Sequence, residues 1–199
     1  MTPDSARQLE YAAMRASIRE RGTARLVLVP VIFIAWAATA VASAAVITVA
    51  LSTLVPLMIL AAGFEAIYGL HSNVERIGRY VQVFHEPNGG WEHVAMDYGR
   101  RFPGGGPDPL FGRLFSIAVS INFLPAALGG TPIELGLLAL IHLGLILRFR
   151  VAKQTAAKQR DVDLQRFQAL RDTSVNSQPP TPNSQSPRSN SQSPSSNSQ

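Results

Sequence analysis

Side chains suited to acid–base or metal chemistry are concentrated in one polar stretch near the middle of the 199-residue chain. Seven of them are histidine, glutamate or aspartate: His71, Glu75, His85, Glu86, Glu92, His93 and Asp97. These residue types bind zinc and harder cations. His71 and Glu75 lie one helical turn apart, but no HExxH or paired ExxH spacing occurs. We therefore predict no metal site and no cofactor. If a metal ion does bind, these seven residues are the candidate ligands.

Two polar residues, Asn122 and His142, stand inside long apolar stretches. An ionisable side chain at membrane depth is a candidate functional residue. At 1.5 Å per helical residue, His142 lies about 9 Å from Arg148, and Asn122 lies about 16 Å from Phe111. We therefore expect that Asn122 is too deep to meet His142, and that each side chain forms a hydrogen bond between helices.

Several kinds of active site find no support in the sequence. The chain has no cysteine, which rules out disulfides, thiolate metal ligands and a cysteine nucleophile. No Walker lysine follows the run Gly104-Gly105-Gly106, and no Gly-x-Ser-x-Gly elbow is present. We predict no catalytic residue, which favours a protein that is not an enzyme.

The elements that carry these residues are predicted to be membrane-spanning helices. Residues 26–64 form a run of 39 positions without a charged residue or histidine, whereas one span needs about 20 apolar residues. We divide this run into spans at about 26–41 and 46–63, with a turn at residues 42–45. Pro30 falls in the first turn of the first span, and Pro56 is expected to kink the second.

A second hairpin is predicted within residues 113–148, with spans at about 111–128 and 132–148 joined by Gly129-Gly130-Thr131-Pro132. The predicted fold is all-α: a polytopic membrane protein with four transmembrane helices in two hairpins and cytosolic helical extensions. An alternative makes residues 114–147 a re-entrant hairpin that returns to the same side. We prefer two full spans, because each limb with its flanks reaches about 17 to 20 residues.

The polar remainder of the chain is predicted to lie in the cytosol. Residues 1–25 are expected to form an amphipathic helix that ends at Gly22, and residues 149–172 a basic helix. Residues 65–112 contain a helix that continues the second span, followed from residue 91 by a loop rich in glycine and proline. Residues 173–199, in which Asn-Ser-Gln recurs, are predicted to be a disordered tail.

The helix after the second span carries apolar residues at spacings of three and four. This apolar seam consists of Ile67, Leu70, Val74, Ile77, Val81 and Phe84. An apolar stripe on an otherwise polar helix indicates packing against another helix. We predict that the seam packs with the N- and C-terminal helices in a small bundle, and that this helix binds a protein partner or a second copy of the chain.

The basic residues predict the orientation in the membrane. All eighteen lysines and arginines fall in segments assigned to one side, and neither predicted external turn contains one. Because basic residues accumulate on the cytoplasmic side, both termini are expected in the cytosol. The excess of arginine over lysine suggests a bacterial source, and we expect the inner membrane as the location. This orientation accounts for the net charge of +5, and no basic stripe with interleaved aromatic residues indicates nucleic-acid binding.

Three functions are compatible with this pattern. The first is a non-enzymatic interaction or scaffold protein with a cytosolic helical surface. The second is a subunit of a small oligomeric transporter or channel, suggested by Pro56, Pro125 and Asn122. The third is a membrane enzyme that uses the His, Glu and Asp side chains of residues 71–97. The lipid bilayer is a partner in all three.

Overall fold

The computed structural model describes residues 2–46, 50–102 and 108–176. Every regular element in these ranges is helical, in agreement with the predicted fold class. The elements are α1 (Pro3–Val46), a 3-10 turn (Ala50–Thr53), α2 (Leu54–Phe84), α3 (Trp91–Arg101), α4 (Asp108–Gly129) and α5 (Pro132–Asn176). The predicted tail begins too early, because residues 173–176 belong to α5. The glycine run at 104–106 and the tail from residue 177 onward lie outside the described residues.

The first helix, α1, is continuous over 44 residues, and the break predicted at Gly22 does not occur. One glycine inside a helix costs about 1 kcal/mol relative to alanine, which the packing of α1 along α2 offsets. The two helices are antiparallel: Glu10 accepts a hydrogen bond from Tyr80 at one end, and Ile32 lies against Gly63 further along. At 1.5 Å per residue, α1 is about 66 Å long.

The first hairpin turns later than predicted. α1 continues through residues 42–45 to Val46, because the alanines and serine there do not end a helix. The two prolines consequently occupy positions that differ from those predicted for them. Pro56 is the third residue of α2, where a missing N–H group costs little, whereas Pro30 lies inside α1.

Residues 91–101, predicted as part of a loop, form the helix α3. The glycines and prolines that suggested a loop lie on either side of this helix, at 87–90 and from 103 onward. Gly89 has a φ of 104°, a left-handed conformation that glycine adopts readily. The chain therefore reverses after α2, and α3 returns along the bundle.

α4 and α5 are joined by a tight turn. The Gly130 N–H donates to the Ala126 carbonyl oxygen at 2.9 Å. Thr131 and Glu134 then cap α5 reciprocally: the Thr131 N–H donates to Glu134 Oε2 at 2.9 Å, and the Glu134 N–H donates to Thr131 Oγ1 at 3.4 Å. From this cap α5 continues as one helix of 45 residues.

Four aromatic rings fill the space where the long helices meet. Their centroids lie 4.3 to 5.9 Å apart, and they belong to Phe33, Phe64, Phe115 and Phe149. Aromatic pairs at such distances contribute about 0.5–1.5 kcal/mol beyond their burial. Beside them, α1 and α2 approach closely at Gly63, where a Cβ would lie 2.5 Å from Ile32 Cγ2.

Three helical stretches are long and apolar enough to cross a membrane: Pro3–Ala45, Ala50–Phe84 and Pro132–Ser174. The apolar part of α4, Arg113–Gly129, is shorter. In the most apolar window of α1 only 6% of the residues are buried in the protein. Apolar side chains that face outward over such a length are typical of a membrane-associated protein. The number of four spans stays a prediction.

The polar ends of α1, α2 and α5 pack together in what we call the polar bundle, residues 3–25, 65–84 and 149–174. α2 and α5 are parallel there, with Arg76 Nε 3.3 Å from Asp163 Oδ2 and the rings of Tyr80 and Phe167 5.6 Å apart. The apolar seam of α2 lies within this bundle. Each of its six residues is buried or half-buried, and α1 and α5 are the helices that α2 contacts most.

Candidate functional site

One arginine, Arg15 of α1, joins three helices at the far end of the polar bundle. Its NH1 and NH2 groups lie 2.8 Å from Glu92 Oε1 of α3 and 2.8 Å from Glu86 Oε1 beyond α2. Its Nε donates to the Tyr11 hydroxyl at 3.1 Å, and that hydroxyl donates to Glu86 Oε1. These charge-assisted hydrogen bonds fix the start of α3 to the bundle.

Glu86 also caps α3. Its Oε2 accepts the backbone N–H of Glu92 at 3.0 Å, and its backbone carbonyl accepts from His93 Nε2 at 2.8 Å. Two glycines provide the space that this arrangement requires. A Cβ at Gly90 would collide with the Glu86 carboxylate, and one at Gly78 would lie 2.9 Å from Glu92 Oε2.

The electrostatic balance at this junction is uneven. Burial raises the pKa of Glu92 above its usual range, and the positive charges of Arg15 and Arg79 only partly oppose this. Partial burial lowers the pKa of Arg15, but the hydrogen bond to Tyr11 and the carboxylates of Glu92 and Glu86 outweigh it and raise the pKa overall. Arg15 is therefore charged, whereas burial disfavours the charged form of the Glu92 carboxylate.

A second arginine, Arg79, extends the network into α2. It is buried, and its NH1 donates to Gln82 Oε1 at 2.9 Å while NH2 donates to Glu75 Oε2 at 3.4 Å. Gln82 Nε2 in turn donates to Nδ1 of His93 on α3 at 3.3 Å. The contact assigns the His93 proton to Nε2, which donates to the Glu86 carbonyl.

The opposite face of α3, together with the residue that follows its last turn, carries a row of exposed apolar side chains. We call it the α3 stripe; its residues repeat at spacings of three and four and are 65%, 68%, 57% and 58% exposed, namely Trp91, Val94, Tyr98 and Phe102. The rings of Tyr98 and Phe102 lie 5.0 Å apart. The Arg15 guanidinium lies 5.4 Å from the centroid of the Trp91 ring, within cation–π range.

The Trp91 end of the α3 stripe is remote from the apolar segments of the protein. At one end of α3, the Glu92 N–H donates to Glu86. At the other end, Arg100 lies 4.0 Å from Asp161. Asp161 follows Arg160, which pairs with Glu75. Glu75 lies on α2 and Glu86 lies two residues past its end; the 11 residues between them correspond to about 16 Å of helix, close to the length of α3. α3 therefore runs along the side of the polar bundle. Its Trp91 end lies about 30 Å along the bundle from Phe64, where the uncharged stretch ends.

The seven candidate metal ligands do not converge. Among the described residues, no three His, Asp or Glu side chains form a group that could hold a metal ion. Glu86, Glu92 and His93 meet at the α3 junction, where Arg15 binds both carboxylates. The other four lie apart: Glu75 beside Arg79, His85 near the rings of Tyr11 and Tyr80, His71 beside Arg25, and Asp97 exposed on α3.

Within the apolar helices, Asn122 and His142 are in direct contact, which contradicts the expectation that they could not meet. Asn122 Nδ2 donates to His142 Nε2 at 3.2 Å and to the Thr53 carbonyl at 2.9 Å. Asn122 Oδ1 accepts from Trp36 Nε1 at 3.2 Å, and His142 Nδ1 donates to the Leu138 carbonyl at 2.7 Å. The cluster joins α1, α4, α5 and the 3-10 turn. Each of its side chains has a partner, as expected for hydrogen bonding between helices.

The expectation that Asn122 and His142 could not meet was wrong because their depths were counted from different ends of the predicted spans, Phe111 and Arg148. Counted from the shared turn at residues 130 and 131, Asn122 and His142 are both about 13 to 17 Å along their helices. The α3 stripe was also missed. Its 3–4–4 spacing was visible in the sequence, but the glycine and proline density around it outweighed that signal.

Comparisons with protein-family models, with curated proteins and with solved structures found no match to this chain.

Proposed function

We propose that this protein is a non-enzymatic interaction protein of a bacterial inner membrane, in which the polar bundle holds α3 as a docking helix for a protein partner. The observation that carries this proposal is the α3 stripe. Exposed apolar patches of this kind mark interaction sites, and the opposite face of the same helix is anchored by Arg15 and Glu86.

The position of the stripe favours a protein over the bilayer as its partner. Headgroups extend about 5–8 Å beyond the hydrocarbon core on each side. Trp91 and Val94 lie well past that distance from Phe64, and the axis of α3 follows the bundle. The stripe ends at two exposed arginines, Arg100 and Arg101, so the expected partner presents an apolar surface with acidic residues at one edge.

The proposed topology has four spans with both termini in the cytosol. The contact between the two turns supports full crossing of the second hairpin. A Cβ at Gly130 would lie 3.3 Å from Ala50 Cβ, and Ala50 packs with Ala126 and Leu138. Because the turn of the second hairpin lies against that of the first, the two hairpins reach the same depth. A re-entrant second hairpin would turn before it reached the depth of the first turn.

Site-specific photo-crosslinking in cells tests the docking role. A photoreactive residue at Val94 is expected to form a discrete adduct with another protein, and the same residue at Leu170 is not. Leu170 is a matched control because it is 61% exposed on α5 and lies outside the stripe. Tyr98→Glu should abolish the Val94 adduct, whereas Leu170→Glu should leave it. Equal adducts at both positions, or an adduct that survives Tyr98→Glu, would overturn the proposal.

A second candidate is a transporter or channel subunit. A cavity of about 450 Å³ lies near the two turns, lined mainly by small residues such as Ala37, Ala40 and Ser43, and it reaches Thr53 and Asn122. If the protein is such a subunit, the flux of a small solute into proteoliposomes should fall at least tenfold in Ala40→Phe, because the larger side chain fills the cavity. Flux that is unchanged in Ala40→Phe would exclude a path through this cavity.

A further inference from the structure

A cavity of about 530 Å³ lies where the four long helices leave their apolar segments. Each helix contributes to its wall near that boundary: Arg25 precedes the apolar part of α1, Phe64 ends that of α2, Arg113 precedes that of α4, and Arg150 follows that of α5. In the proposed topology this is the level of the cytosolic headgroups. The inference rests on that topology and does not depend on docking at α3.

The cavity is strongly cationic. Five of its fifteen described lining residues carry a positive charge, namely Arg25, Arg113, Arg150, Lys153 and Arg160, and none of the described lining residues is a carboxylate. Among described residues, only Arg160 of these five makes an ion pair, at 3.6 Å from Glu75. Like charges around one cavity repel one another, and a bound anion relieves that repulsion.

Its remaining wall is apolar and leads outward. Phe64, Ile67 and Phe149 are buried at 3%, 1% and 4% exposure, whereas Ile117 is 56% exposed. Ile117 belongs to the outer face of α4, which also exposes Leu114 and Ile121. The cavity thus offers arginine and lysine donors to a polar group and an apolar path from that group to the outer surface of the helices.

We propose that this cavity binds the anionic headgroup of a membrane phospholipid. The phosphate oxygens accept hydrogen bonds from the arginines, and the start of an acyl chain lies over Phe64 and Ile117. Arginine binds phosphate oxygens in bidentate fashion, and basic pockets between membrane helices on the cytoplasmic side suit anionic headgroups. The volume is in the range of about 300–1,000 Å³ typical of ligand sites.

Native mass spectrometry of the full chain, released from mixed micelles of phosphatidylglycerol and phosphatidylcholine, tests the site. The wild type is expected to retain phosphatidylglycerol at least tenfold over phosphatidylcholine. The variant Arg113→Gln with Lys153→Gln should lose most of this preference; both side chains are exposed. Lys158→Gln with Arg166→Gln is the matched control, because it removes the same charges from exposed positions of α5 outside the cavity.

Competition with inorganic phosphate distinguishes a lipid headgroup from a free phosphate ion as the ligand. Retention of phosphatidylglycerol that resists 10 mM inorganic phosphate supports a lipid, whereas displacement of the lipid by inorganic phosphate overturns the lipid assignment. Equal retention of phosphatidylglycerol in the cavity variant and in its control overturns the site.

A salt titration tests the site without a variant. The preference of the wild type for phosphatidylglycerol should fall as the NaCl concentration is raised, because charge contacts are screened. The Val94 crosslink should be unaffected by Arg113→Gln with Lys153→Gln, which keeps this test distinct from that of the docking role.

Discussion

Arg15 and Glu92, 77 positions apart in the chain, form an ion pair of 2.8 Å that ties α1 to α3. The carboxylate is buried and the guanidinium partly so. Because the same arginine binds Glu86, the position of α3 depends on one side chain near the start of the protein. The surface we propose for partner docking is therefore set by a residue that is not part of it.

Replacing this arginine should loosen α3. In Arg15→Gln, Glu86 and Glu92 lose their charged partner, at a cost of roughly 1–3 kcal/mol. Hydrogen exchange of the α3 amides in detergent is expected to accelerate roughly 10- to 100-fold, since 1.4 kcal/mol is a tenfold change. Arg19→Gln is the control, because Arg19 is an exposed residue one turn further along α1. Equal acceleration in both variants would contradict an anchoring role for Arg15.

Glu92 should give the stability of the protein a definite pH dependence. Because burial raises its pKa in the folded state, the folded protein binds a proton more readily than the unfolded chain. The contribution of Glu92 to the free energy of unfolding is therefore greatest below the ordinary glutamate pKa, and it falls as the pH rises from there through the raised pKa. We expect the stability of the wild type minus that of Glu92→Gln to decrease over this range in denaturant titrations. A difference that increases with pH would mean that Arg15 dominates and that the pKa is lowered.

The cluster of Asn122 and His142 should contribute to stability through Asn122. Asn122→Ala removes the hydrogen bonds to His142, to the Thr53 carbonyl and from Trp36. Such bonds contribute about 0.6 kcal/mol each in membrane proteins, so we expect a loss of roughly 1–2 kcal/mol in unfolding by SDS. Ser120→Ala is a control on the same helix, since that hydroxyl bonds only within α4. A loss no larger than that of the control would show that the cluster does not hold the helices together.

The close approach of α1 and α2 makes a fourth prediction. Gly63→Ala places a Cβ 2.5 Å from Ile32 Cγ2, and overpacking of this kind costs about 1–3 kcal/mol. Ile32→Ala, which removes the opposing branch, should recover part of the loss in the double variant. At Gly69, where an added Cβ would meet no atom within 4 Å, alanine should be neutral or stabilising by up to about 1 kcal/mol. Thermal unfolding in detergent distinguishes the two glycines, and equal effects would contradict this packing.

Much of the architecture could be predicted from local properties of the chain. The length of each apolar run, the charges at its ends, and the turn residues Gly129-Gly130-Thr131-Pro132 act within a few turns of helix. They predict an all-helical protein with helices long enough to cross a membrane, and the continuation of the second span into a polar helix. The exact ends of helices were predicted less well, because one glycine and a run of small residues do not by themselves end a helix.

The sites required the tertiary structure. Asn122 meets His142 because the turn at 130–131 aligns two helices whose residues were counted from different ends. Arg15 meets Glu86 and Glu92 because α1 does not break at Gly22. Five cations face one cavity because the apolar segments of four helices end at the same level. The sequence alone determined which segments are apolar, helical and basic, since those properties are local. Only the tertiary structure decided which side chains meet, because helix register and the depth of each turn depend on packing between distant segments.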